Sequence, residues 1–75
     1  MQRYFFDLVS LGRSEFDYRG RELASAEKAL RLAELIALDE CCRGERIGWN
    51  ISVHDAAGKK YFSVPVQAHP DLIAA

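Results

Sequence analysis

Residues 47–58 read Ile47-Gly48-Trp49-Asn50-Ile51-Ser52-Val53-His54-Asp55-Ala56-Ala57-Gly58, and this stretch decides the fold. Ile47, Trp49, Ile51 and Val53 alternate with Gly48, Asn50, Ser52 and His54. Side chains two apart share one face of a strand, so the pattern predicts a half-buried strand over 47–54. Asp55 and Gly58 then supply turn chemistry: an aspartate that bonds the amides ahead of it, and a glycine that accepts a positive φ.

Working outward, the turn leads into a second strand over 60–66, with Phe62, Val64 and Val66 on one face. Pro65 has no amide to donate, which suits a strand end or an edge. At the other end of the chain, Tyr4, Phe6 and Leu8 alternate with Phe5, Asp7 and Val9, predicting a strand over 3–9. A turn at 10–13 would return the chain along a short partner strand, 14–18, where Glu15 and Asp17 alternate with Phe16 and Tyr18. Asp17-Tyr18-Arg19-Gly20 repeats the D-x-x-G pattern of 55–58. The plain explanation is the same turn chemistry used twice.

Between the two strand pairs lies a helix. Ser25 is a natural N-cap, Glu27 and Arg43 complement the helix dipole at its two ends, and Gly44 suits the position just past the last turn. The order is ββαββ. It implies an α+β, two-layer domain with an antiparallel four-stranded sheet and one helix packed on one face. The domain is expected over 1–66, with 67–75 as a C-terminal tail carrying Leu72 and Ile73. Tyr4, Phe6, Leu8, Trp49, Ile51, Val53, Phe62 and Val64 form the expected core.

A chain of 75 residues buries only about 60% of its unfolded surface, so the core is thin. Small domains add disulfides, a metal or self-association. The two cysteines, Cys41 and Cys42, are adjacent and badly placed to bridge one another. They share no metal-ligand spacing with His54 or His69. No metal or cofactor is therefore expected, and self-association is the remaining route. Ten basic residues against eleven acidic ones give a net charge of −1, which weighs against duplex binding. No apolar stretch of signal-peptide or membrane-spanning length is seen, so a cytoplasmic protein that does not enter membranes is expected.

Two surfaces remain apolar after the core is assigned. On the helix, Ala26, Ala29, Leu30, Ala33, Ile36 and Ala37 cluster on one side, with charges opposite in the first half. Leu35, Leu38 and Cys42 form a second stripe at i, i+3, i+7 spacing. This stripe is the expected interface with another chain, most simply a second copy; the competing explanation is that Leu72 and Ile73 of the tail cover it. The open sheet face should present Phe5, His54 and Tyr61, which suit a small nucleic-acid-binding or regulatory module through base stacking. The only nearby basic residues are Arg3, Lys59 and Lys60, so nucleic acid ranks below protein as the partner.

The candidate chemistry is sparse. His54-Asp55 has the makings of a base with its orienting carboxylate, but Asp55 is fully explained as a turn residue. Cys41 and Cys42 lie at the negative end of the helix dipole, which opposes thiolate formation. No glycine-rich phosphate loop occurs, and His69-Pro70-Asp71 carries no recognisable role. A non-enzymatic domain is expected.

The opening Met1 with Arg3-Tyr4-Phe5-Phe6, the stretch from Asp17 to Leu23, and the strand from Gly48 to Asp55 ending at Gly58 resemble a family of short bacterial proteins classed as a domain of unknown function. The family pattern often has His after the second Phe, where this chain has Asp7; a function of relatives that needs that His would be lost here. The resemblance implies a bacterial, cytoplasmic protein and carries over no catalytic or binding residue.

Overall fold

The computed structural model describes residues 1–67. Leu72, Ile73 and His69 therefore lie outside the described residues. Strand β1 (Gln2–Ser10) forms the spine of an antiparallel sheet, with β4 (Asn50–Asp55) on one side and then β5 (Lys60–Pro65). On its other side β1 pairs with two short strands, β2 (Arg13–Glu15) and β3 (Arg21–Leu23). One helix, α1 (Ala26–Arg43), crosses one face.

The second strand expected at 14–18 is therefore interrupted. Leu8 pairs with Glu15, and Tyr4 pairs with Arg21. Three residues of β1, Phe5 to Asp7, thus face five residues, 16–20, which leave the ladder and rise over the sheet. Asp17 causes this departure. Its carboxylate accepts the Phe6 amide at 3.2 Å, standing in for the missing ladder partner. It also accepts the Arg19 and Gly20 amides, each at 3.0 Å. Alternation alone reads 14–18 as continuous, because Phe16 and Tyr18 are good strand residues.

The strand expected over 47–54 begins later, at Asn50. Gly48 has φ +91°, and the Trp49 amide donates to the Arg46 carbonyl at 3.0 Å, so 46–49 is a turn. Ile47 consequently points to water. Trp49, expected in the core, is instead half-buried beneath the Arg46 guanidinium, 5.8 Å from its ring centroid. Arg46 also reaches Glu15 at 2.8 Å and Glu40 at 3.3 Å. Glu40 is buried on the inner side of α1, and Arg46 compensates its charge. These contacts tie β2, the helix end and the start of β4 together.

The helix caps match the sequence. Ser25 Oγ accepts the Lys28 amide at 3.3 Å, and Gly44, with φ +71°, donates its amide to the Cys41 carbonyl at 3.0 Å. Ala29, Ala33 and Ala37 form the buried seam of α1 against Tyr4, Phe6, Ile51, Val53 and Val66. Three small side chains at four-residue spacing let the helix backbone lie close to the sheet, which supplies the bulk. Ile51, Val53 and Val66 are fully buried, each contributing about 1.5–3 kcal/mol relative to exposure. Val66, which the alternation places on one strand face with Phe62 and Val64, belongs to the core as well. Leu8, Phe62 and Val64 close the margins.

Gly20 is the most constrained glycine of the sheet. Its φ is +69°, and a Cβ there would lie 2.8 Å from the Tyr4 carbonyl oxygen and 2.9 Å from Arg3 Cγ. Gly12 also has positive φ, +76°, but has open space around it. Gly12→Ala should cost about 1 kcal/mol for the left-handed backbone alone. Gly20→Ala should cost clearly more, because strain and collision with β1 add. Urea unfolding of both variants checks this, and equal losses would show that 16–20 does not pass β1 this closely.

Candidate functional site

The face of the sheet away from α1 carries Phe5, Asp7 and Val9 of β1 beside Asn50, Ser52 and His54 of β4. The register pairs Phe5 with His54 and Asp7 with Ser52. At one end of this face lies a cleft of about 420 Å³. Its floor is Phe5, Asp7 and His54; Phe16, Asp17 and Tyr18 rise on one side, and Asp55, Ala56 and Gly58 border the other.

The two D-x-x-G turns thus meet at one place. In the second turn, Asp55 Oδ1 accepts the amides of Ala57 and Lys59, each at 2.9 Å, and the Gly58 amide donates to the Asp55 carbonyl at 3.0 Å. The repeat seen in the sequence is turn chemistry in both copies, and both turns border the cleft.

A polar relay links the first turn to the floor. The Asp17 amide donates to Asp7 Oδ1 at 2.9 Å. Asp7 Oδ2 meets His54 Nε2 at 2.9 Å, and His54 Nδ1 lies 3.0 Å from the Asp55 carbonyl oxygen. A carbonyl oxygen only accepts, so Nδ1 carries hydrogen. The remaining nitrogen is committed to the Asp7 carboxylate. His54 therefore aims no free ring nitrogen into the cleft, which a general base or a metal ligand needs. Its partner carboxylate is Asp7, not the neighbouring Asp55 suggested by the sequence. The ring is instead stacked on Phe5, with centroids 5.3 Å apart and planes 14° from parallel.

Of the three residues expected on the open face, Phe5 and His54 lie together and Tyr61 does not join them. Val53 pairs with Phe62 and His54 with Lys60, which leaves Tyr61 as the extra residue of a bulge. A bulge breaks the two-residue alternation. Tyr61 packs edge-on against Tyr4 at 5.4 Å, beside the core. Its hydroxyl accepts from Gln2 at 3.0 Å and donates to Asp55 Oδ2 at 3.1 Å. Phe16 and Tyr18, read from the sequence as strand residues, take the place beside the cleft. They are 58% and 86% exposed, with rings 6.3 Å apart. The D-x-x-G signal marked their turn, but nothing in the sequence showed that it stands over the sheet.

On the opposite layer, Leu35, Leu38 and Cys42 all face water. Cys41 is half-buried and both thiols are free. Among the described residues, no group of His, Cys, Asp and Glu has the arrangement of a metal site, and no helix is long and apolar enough to cross a membrane.

Over the described residues the molecule is thus an α+β domain with one helix and an aromatic cleft on the sheet face away from it. The chain belongs to a family described as a domain of unknown function, DUF6894, which it matches over residues 3–67. Neither a curated protein nor a solved structure matches it.

Both turn aspartates have depressed pKa values. Burial opposes ionisation of Asp17, but the amides of Gly20, Phe6 and Arg19 and the Arg21 charge together hold its carboxyl below the ordinary value of 3.8. For Asp55 the Lys59 amide leads; the Tyr61 hydroxyl, the Ala57 amide and the Lys59 charge add to it and overcome desolvation. A carboxyl whose folded pKa is depressed stabilises the fold above its unfolded pKa. That stability is lost as the pH falls from about 4 through the folded value, where the unfolded chain binds more protons. Urea midpoints should therefore fall steeply below about pH 4, and Asp17→Asn should flatten the slope. An unchanged slope in that variant would show that Asp17 does not hold the loop as an anion.

Proposed function

We propose that the protein is a small non-catalytic protein-interaction module that self-associates through α1 and offers the cleft to a different partner. The observation that carries this reading is where the apolar side chains are spent. The buried seam of α1 is alanine, flanked by Leu32 and Ile36, while Leu35 and Leu38 are left 62% and 42% exposed on its outer side. Phe16 and Tyr18 stand in water on the other layer, held there by the bonds of Asp17. A thin-cored domain that leaves large apolar groups outside on both layers has them available for association.

The committed nitrogens of His54 support a binding role over a catalytic one. Nucleic acid is the weaker alternative for the Phe5 and His54 face, since Asp7 and Asp17 line the cleft and no lysine or arginine among the described residues does. The resemblance to short bacterial proteins and the adjacent free cysteines support action in the bacterial cytoplasm.

Light scattering after size exclusion, across a range of concentrations under reducing conditions, tests the reading. The chain should run as a dimer or larger, Leu38→Glu should run as a monomer, and the double variant F16A/Y18A should keep the assembled mass. A clean monomer at every concentration would overturn self-association. Loss of assembly in F16A/Y18A with retention in Leu38→Glu would move the self-contact to the cleft.

A further inference from the structure

We propose that the cleft on the open sheet face receives a cationic side chain, lysine or arginine, projecting from a protein partner. This rests on reading the cleft as a protein-binding surface. Its rings are Phe5, Phe16 and Tyr18, and the ionisable side chains on it are Asp7, Asp17 and His54; the Asp55 carboxylate turns to the other face, onto Tyr61. The Asp7 and Asp17 carboxylates outnumber the one imidazole, and no lysine or arginine among the described residues lines the cleft, so its charged groups favour a cation. Asp17 is held as an anion by three backbone amides.

An apolar stem ending in a cationic head fits this combination better than other ligand classes. Lysine and arginine have that build: the methylenes lie on apolar surface and the head seeks charge or solvent. A cation within about 6 Å of a ring face is attracted by the ring quadrupole. The protein already makes two such contacts of its own, Arg46 over Trp49 at 5.8 Å and Lys59 over Tyr61 at 5.1 Å. An anionic ligand would meet the Asp7 and Asp17 carboxylates. A neutral aromatic would use the rings and leave the negative balance uncompensated. Because Asp17 fixes the turn that carries Phe16 and Tyr18, these walls are set before the ligand arrives, which limits the entropy lost on binding.

The test is a titration of the isotopically labelled full chain, followed by NMR, with three capped Gly-Xaa-Gly peptides. Xaa is arginine, its uncharged isostere citrulline, or phenylalanine. The arginine peptide should give saturable shifts at Phe16, Tyr18 and His54, with the citrulline peptide weaker on the order of tenfold. Tyr18→Ala should weaken the arginine peptide by roughly two- to fivefold. Tyr18 lies outside the core, so this variant should fold. Citrulline or phenylalanine binding as tightly at the same residues would overturn the cationic assignment and leave the cleft as a binding surface. Shifts at none of these residues with any peptide would overturn both.

Discussion

The Asp17 carboxylate is the constraint on which the open layer depends. Opposite Phe5, Phe6 and Asp7 the ladder of β1 has no continuous strand, and an inner amide without an acceptor would destabilise the sheet. Asp17 supplies that acceptor to Phe6 and closes its own turn on Arg19 and Gly20. Its amide in turn fixes Asp7, which fixes His54, which stacks on Phe5. One side chain thus sets the break in the strand, the height of the loop above the sheet and the floor of the cleft. Gly20 is the counterpart of this arrangement, because only a residue without a Cβ lets the chain rejoin β1 so closely.

Much of the architecture is legible in local patterns. The alternation from Ile51 to Val53, the Ser25 and Gly44 caps and the outer helix stripe are each set by residues near in sequence. What escaped the sequence was decided by single non-local bonds or by backbone twists. Two strands pair where one was expected, because an aspartate replaced a ladder partner. Tyr61 changed sides because a bulge inserted one residue into β5. Trp49 left the core because the Gly48 turn starts β4 late and Arg46 captures its ring. The pairing of His54 with Asp7 spans 47 positions of sequence; no spacing motif encodes such a contact, whereas the adjacent Asp55 drew attention by proximity alone.

The two layers divide the work differently. The helix gives the centre of its inner seam to alanine, flanks it with Leu32 and Ile36, and keeps Leu35 and Leu38 for the outside, so that outer stripe can change without disturbing the core. The cleft has less freedom. Phe5 and His54 are floor residues tied through Asp7 to the loop, while Phe16 and Tyr18 only project from it. Variation at the projecting pair alters what the cleft meets, whereas variation at the relay alters whether the cleft exists.

The interrupted strand has one more effect, on the sheet margin. An uninterrupted outer strand presents a long row of unpaired amides and carbonyls, a template on which another chain can add. Here that margin is two three-residue pieces separated by a raised loop. The opposite margin, β5, begins at Lys60, is bulged at Tyr61 and ends at Pro65; charge, bulge and proline each discourage strand addition. The same loop that builds the cleft therefore helps keep a small, β-rich chain from stacking edge to edge into fibres.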